Sequence, residues 1–400
     1  MRDVNALLMS LAIDREVRND PYPIYKEFRA LGAMVKAYNG FTVATGYESS
    51  TQVLRRSEFG KGLDRIAEMP ENAPYFRERS VPPSMLFQDP PEHSRLRRSV
   101  SHFFTPRSME KMRNSVTDIA NSLFSDLKES KGGDLVARFA LPLPVWMIGD
   151  ILGVPKNDRF ALQPYVSKVA KTLDFNLGQD ELTIKEAEEA SEYLIAYFRE
   201  LLTEKVKTPG EDLLSEIVSA ERDDEGGLTL DEACSMAILL FAAGFETTGN
   251  LIGNATYALS NNMEQYKALV GAEVDIKSAV DELIRYDSPV QLDGRVVLED
   301  VTLFGVELSA GSFVVTLLGS ANHDETIFSE PESLDLGRVA QPSMSFGQGI
   351  HFCLGSYLAK MELGVFLELL IGQGDFLSIE SMRRKESLTL RGFEEMVVQL

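Results

Sequence analysis

Hydrophobic positions recur every three to four residues over most of the chain between about residues 90 and 285. Periodic segments at 91–103, 107–130, 143–152, 158–172, 183–206, 211–221, 230–261 and 263–285 each predict a helix with an apolar face. Upstream, the turn Asn19-Asp20-Pro21-Tyr22-Pro23 precedes a short amphipathic helix through Ala30, and residues 41–44 read as strand. Downstream the period changes. Short β patterns at 295–299, 302–304, 306–308 and 313–315 lead to a Gly-punctuated loop at 342–352 and a last long helix from about 354. Residues 60–88, with Pro70, Pro74, Pro82 and Pro83 among scattered large apolar residues, predict an irregular loop of a length that is usually functional. There is no internal repeat and no low-complexity linker. The pattern predicts a mainly α fold with small β-sheets near the two ends of the chain, residues 1–400 forming a single domain.

Composition adds limits. The chain has 400 residues, 44% hydrophobic and 25% charged, enough apolar material for a large core without staples. Its net charge of −21 disfavours phosphate backbones and anionic lipid, so neither nucleic acid nor membrane is expected as a partner. The sign reverses between His93 and Arg113, where Arg95, Arg97, Arg98, Arg107, Lys111 and Arg113 face only Glu110. That stretch is a solvated helix face, an anion site or a docking patch for an acidic partner. Two cysteines, Cys234 and Cys353, cannot build a disulfide framework, and a reducing cytoplasm is the expected compartment. The apolar run at 6–13 is too short to span a bilayer, and no anchor is expected.

Candidate chemistry lies in four places. In Phe346-Gly347-Gln348-Gly349-Ile350-His351-Phe352-Cys353-Leu354-Gly355, two glycines shape a tight loop and the cysteine is read as opening an apolar helix, a position that favours a thiolate. A buried structural cysteine would look the same in isolation. As a metal ligand, one cysteine is too few for zinc or an iron–sulfur cluster but enough for the proximal side of a haem. Asp89-Pro90-Pro91-Glu92 predicts a capped helix start, placing His93 and Arg97 on one face, suited to a carboxylate, with Arg95 and Arg98 turned toward solvent. Thr229-Leu230-Asp231-Glu232 is a capping box opening an apolar helix of about 30 residues. Its centre, Ala243-Gly244-Phe245-Glu246-Thr247-Thr248-Gly249, breaks local consistency with two glycines and a carboxylate. Glu282 and Arg285, three apart, would ordinarily be a surface pair.

Together these runs resemble the cytochrome P450 family, and the resemblance extends from Asp20-Pro21-Tyr22 to Arg391-Gly392-Phe393. It implies a haem-thiolate monooxygenase of the soluble bacterial type, with haem b ligated by Cys353 and further cofactor contacts at Phe346, Gly347, Gly355 and Ala243. It implies propionate partners at His93, Arg97, Arg295 and His351. It implies that Gly244 clears space over the haem, while Thr247 and Glu246 bind and protonate dioxygen. Glu282, Arg285 and Arg338 would form a buried structural network. Residues 60–88 and 165–182, including Leu173 and Phe175, would cover the active site. Met85, Leu86, Phe87, Phe175, Leu239, Ala243, Val290, Leu292 and Phe393 would wall an apolar pocket. The substrate expected is a lipophilic small molecule of polyketide type or an acyl chain on a carrier protein. Without a fused reductase, electrons would come from NAD(P)H through a ferredoxin or flavodoxin and its reductase. A peroxygenase, a redox-neutral rearrangement enzyme and a non-catalytic recruitment module are the alternatives. Glu246, Thr247 and the retained haem anchors argue against all three. The run Ala321-Asn322-His323-Asp324-Glu325 departs from the family's more usual Asn-Arg-Asp-Pro.

Overall fold

The computed structural model describes residues 2–37, 40–62, 65, 82–172, 174, 181–220, 227–339, 341–373 and 377–400. Most of the loop expected at 60–88, together with Leu173 and Phe175, lies outside the described residues.

At the N-terminus α1 (Val4–Ile13), α2 (Arg15–Asn19) and α3 (Tyr22–Leu31) precede strands β1 (Met34–Lys36) and β2 (Thr42–Ala44), then α4 (Tyr47–Arg55) and β3 (Phe59–Gly60). Leu7, Leu11, Tyr25 and Phe28 bury their side chains against Val43, Leu292, Val315 and Leu317. The first three strands join β5 (Leu292–Val297) and β8 (Phe313–Leu317) in one sheet ordered β1-β2-β8-β5-β3, so the two ends of the chain share it. The antiparallel pairing of β5 with β8 puts Arg295 opposite Val314. Between them β6 (Val301–Leu303) and β7 (Val306–Leu308) form a hairpin.

The helical body comprises α5 (Glu92–Ser101), α6 (Pro106–Glu110), α7 (Arg113–Glu129), α8 (Pro142–Leu152), α9 (Arg159–Lys171), α10 (Glu181–Lys207), α11 (Leu213–Ala220), α12 (Leu230–Ser260), α13 (Met263–Val270) and α14 (Ile276–Tyr286). Short α15 (Leu318–Ala321) and α16 (Ser356–Gln373) complete it. The strand β4 (Gly132–Asp134) pairs with the C-terminal hairpin of β9 (Ser378–Arg384) and β10 (Phe393–Gln399).

The expected capping box at α12 forms: Thr229 caps the Glu232 amide, and Glu232 accepts from the Thr229 amide at 2.8 Å. At 31 residues α12 runs about 47 Å. It would satisfy the length and composition of a membrane span, yet it is largely buried among α8, α10, α14 and α16.

Several boundaries differ from the sequence expectation. The segment read as one helix over 263–285 is two, because the chain turns at Gly271-Ala272, Ala272 takes φ +55°, and Asp275 caps a new helix on Ser278. The segment 107–130 likewise breaks between α6 and α7. The strand expected at 295–299 begins three residues earlier, at Leu292.

Candidate functional site

The cysteine loop sits between α4 and α16. Gly347 and Gly349 both take positive φ, +65° and +73°. A Cβ at Gly349 would lie 2.2 Å from the Leu54 carbonyl oxygen, so the close approach to α4 requires glycine there. The Cys353 amide donates to the Phe346 carbonyl at 2.9 Å, closing the loop on itself. The helix opens at Ser356, two residues later than expected, and Cys353 stands just before it. Its thiol still receives backbone N–H groups from Gly355 and Ser356. Burial pushes the thiol pKa up against those bonds and against the charge of Arg97. Side chains at Gly347 and Gly355 would meet no atom of the described residues within 4 Å. Phe346 packs half-buried against the main core.

Helix α5 does not start as expected. Asp89 does not cap it; its carboxylate accepts the Lys61 and Gly62 amides at 2.8 and 3.0 Å, fixing the loop after β3. His93 and Arg97 nevertheless share a face. Arg97 donates to the Phe352 carbonyl at 2.7 Å, next to Cys353. The His93 and His351 rings lie 4.3 Å apart, and both ring nitrogens of His93 and Nε2 of His351 are buried without a hydrogen-bond partner among the described residues. Arg95 is not turned to solvent: it bridges Glu92, at 2.6 Å, and Glu232 of α12. Arg98 is exposed.

Arg295, on β5, is fully buried and donates to Asp293 at 2.6 Å, and Asp293 is shared with Lys61. The structure thus brings together His93, His351, Arg295 and a residue that sequence reading missed, Lys61. A lone lysine in a loop gives no sequence signal. Burial, then the charges of Arg295, Lys61 and His93, pull His351 down to about 2, with Asp293 opposing. Burial, then Arg97, lowers His93. Orphaned ring nitrogens within a cationic cluster, beside a thiol that accepts backbone amides, fit a planar dianion with a thiolate-ligated metal. The residues present therefore fit haem.

In α12, Ala243 is exposed although its helix is mostly buried, and Thr247 one turn later donates to the Ala243 carbonyl at 2.9 Å. Glu246 is paired with Lys385 at 3.0 Å, a partner beyond the reach of sequence reading because it lies 139 residues away. The role expected for Gly244 changes. A Cβ there would sit 2.7 Å from Ile148 Cγ1, so the glycine is required by close packing of α12 on α8.

The expected network assembles: Glu282 accepts from Arg285 at 2.7 and 2.8 Å and from Arg338 at 3.1 Å, all largely buried. Arg285 also reaches the Asn322 and Pro331 carbonyls. The departing run 321–325 joins this support: Asn322 bonds Ser345 and Met344 of the cysteine loop, and His323 stacks on Tyr22.

Of the expected pocket walls, Met85, Leu86 and Phe87 form a 3-10 turn packed on α5, and Leu239 is half-buried on α12. Leu292 and Phe393 instead point into packed cores; Phe393 lies between Tyr257 and Arg384. Val290 bridges Leu390 and packs near Leu54 and Met344.

Comparison decides the family. A biotin biosynthesis cytochrome P450 of Bacillus subtilis is 33% identical over 399 residues, 98% of this chain and 99% of that protein. The chain belongs to the cytochrome P450 family. It is a monooxygenase of that family, and the family model described as Cytochrome P450 matches residues 276–392. The crystal structure of P450BioI with acyl carrier protein ligated to hexadec-9Z-enoic acid superposes with a TM-score of 0.89 at 31% identity, covering 97% of this chain and all of that one. Ligand-free CYP164A2 of Mycobacterium smegmatis gives 0.90 at 33% identity, covering 99% and 100%. The polyketide biosynthesis cytochrome P450 PksS of Bacillus subtilis is 35% identical over 79% of this chain and 77% of its own length.

Proposed function

We propose that this P450 oxidises an apolar chain carried on an acyl carrier protein, with Cys353 as the iron ligand. The observation behind the site reading is the exposed Ala243 at the centre of buried α12, beside Thr247 and Glu246, with half-buried Leu86, Phe87 and Leu239 as apolar surroundings. The carrier-borne substrate is brought over from the P450BioI complex. His93, Arg97, Arg295, His351 and Lys61 would hold the propionates. When bound, haem supplies dioxygen activation, with the thiolate pushing electron density toward O–O cleavage.

The chain's own residues manage protons. Glu246, one of whose carboxylate oxygens Lys385 holds, would take up a proton from solvent and pass it toward Thr247 Oγ1, and Thr247 would pass one into the site, exchanging its present bond to the Ala243 carbonyl for one to a ligand. Apolar walls exclude bulk water, so proton delivery depends on this pair. Electrons come from NAD(P)H through a ferredoxin or flavodoxin and its reductase, in the cytoplasm, where free thiols persist.

The test has two parts. The reduced, CO-bound spectrum should show the long-wavelength thiolate band in the parent and lose it in Cys353→Ala. With labelled dioxygen, hexadecenoyl acyl carrier protein should gain one labelled oxygen atom faster than the free acid does. Equal rates for both would remove the carrier from the proposal, and a retained thiolate band in Cys353→Ala would remove the ligand assignment.

A further inference from the structure

Asp174 stands just beyond α9, yet its carboxylate reaches a segment 214 residues further along the chain. Its own amide donates to the Lys171 carbonyl at 3.3 Å, so it extends the last turn of that helix. Its Oδ1 accepts the Thr389 amide at 2.9 Å, the Thr389 hydroxyl at 3.0 Å and the Leu388 amide at 3.0 Å; Oδ2 shares the Leu388 amide at 3.2 Å. Two successive backbone N–H groups aimed at one anion make an anion-binding concavity, and hydrogen bonds to a carboxylate are the strong ones.

The donors are held by bonds in which Asp174 has no part. They lie in the turn between β9 and β10, which the Lys385 amide closes on the Gly392 carbonyl at 3.1 Å. Ser387 Oγ accepts the Leu390 amide at 2.9 Å. The Thr389 carbonyl accepts the Gln291 amide at 2.9 Å, and Leu390 pairs with Val290. A turn braced on both sides presents its donors ready-made, so little ordering opposes the binding of a carboxylate. Arg18, whose Nε is buried without a hydrogen-bond partner among the described residues, lines a small cavity together with Ser387 and Leu388 and adds positive charge beside the turn.

The two elements that Asp174 joins both pack on α12, the helix that carries Ala243. Helix α9 lies on it and on α10 through buried Leu162, Val166 and Ala170, and the hairpin packs elsewhere along it. One side chain therefore ties the end of α9 to the hairpin, and losing its bonds frees that end while the body of the helix stays packed. We infer that the turn at Leu388 and Thr389 is a carboxylate-binding site, that the chain fills it with its own Asp174, and that this clasp limits the entry of bulky ligands to the space over Ala243. A ligand whose own carboxylate displaces Asp174 releases the end of α9. The inference rests on the reading of the space over Ala243 as the ligand site.

Two measurements on the haem-loaded protein test it. The first is the rate at which imidazole and 4-phenylimidazole, iron ligands that differ by one ring, bind in rapid mixing. Asp174→Gly should speed 4-phenylimidazole by about threefold or more and leave imidazole at the parental rate, with Asp174→Asn between, since a clasp gates by size. A parental rate for 4-phenylimidazole overturns the clasp, and so does an equal gain for both ligands, which would mean that the haem surroundings themselves had loosened. The second is hydrogen exchange at the Leu388 and Thr389 amides. Exchange should be about tenfold faster in Asp174→Gly, and sodium acetate should slow it where sodium chloride at equal ionic strength does not. Exchange in Asp174→Gly that ignores acetate overturns the carboxylate site. If neither imidazole reached the iron of the parent, the reading of the space over Ala243 would fall, and the amide exchange would still decide the carboxylate site.

Discussion

At the scale of single residues, side chains that look equivalent in sequence are separated by what they touch. Cys234 and Cys353 are the two cysteines. Cys234 is fully buried on α12 against the Ile195 carbonyl, whereas Cys353 accepts backbone amides beside Arg97. Arg97 and Arg95 are two residues apart, but Arg95 is occupied by Glu92 and Glu232, and Arg97 points to the cysteine loop. Replacing Arg97 by Ala should therefore weaken haem retention by about 1.5–3 kcal/mol, the worth of a charge-assisted hydrogen bond. Arg98→Ala should leave retention unchanged. Haem transfer to a scavenging apoprotein measures both, and equal loss rates in Arg97→Ala and parent would place Arg97 outside the haem site. Thr247→Ala should bind substrate and consume reductant at near-parental rates while product per reductant falls several-fold and peroxide rises. A fully coupled Thr247→Ala would mean that protons enter by another route.

At the scale of elements, legibility followed how local the determining physics is. Helix α12 was readable end to end because its capping box and apolar run are contiguous in sequence. The split between α13 and α14 was not, because the break depends on Ala272 adopting positive φ, a conformation glycine adopts more readily. The hairpin β9–β10 escaped because Ser378–Arg384 is largely polar and exposed, its strand character set by pairing with β10 and not by an alternating face. That hairpin supplies Lys385, so the missed element and the missed partner of Glu246 are one omission. The network of Glu282 depends on elements far apart: α14 gives Glu282 and Arg285, and the segment after α15 gives Arg338. Arg285 and Arg338 also bind the carbonyls of Pro331, Ser329 and Ser333, so the pair of guanidiniums knits that segment to α14. Glu282→Ala leaves two buried guanidiniums without their anion, at a cost of about 3–5 kcal/mol. The expected outcome is a lower denaturation midpoint and a reduced yield of haem-loaded protein. A parental midpoint in denaturant would show that the carbonyls alone satisfy both arginines.

At the scale of the whole molecule, the charge distribution and the cysteine loop meet on one face. Ile350, Phe352 and Tyr357 flank Cys353 in sequence and are 49%, 43% and 47% exposed, unusual for large apolar residues. Helix α6 packs on α16, the helix that carries Tyr357, and Arg97 of α5 reaches the Phe352 carbonyl at 2.7 Å. Arg98, Arg107 and Lys111 on the same stretch are exposed, so an apolar centre has a basic border on a chain of net charge −21. Such a field draws an acidic donor to one face and repels it from the rest, which raises the encounter rate more than the final affinity. An acidic ferredoxin should therefore reduce this P450 at a rate that falls steeply as ionic strength rises, since the Debye length shrinks from about 30 Å at 0.01 M to about 8 Å at 0.15 M. Lys111→Glu combined with Arg107→Glu should cut the low-salt rate by at least tenfold and flatten its salt dependence. Neither residue enters the haem site, so the CO-bound spectrum of the double variant should remain parental. Charge reversal at Lys185 together with Lys168, 72% and 43% exposed on α10 and α9, changes the net charge equally; it is the matched control and should change neither quantity. If the Lys185 and Lys168 variant lost as much rate as the Arg107 and Lys111 variant, net charge alone would govern the encounter, and the basic border would have no part in aiming the donor at Cys353.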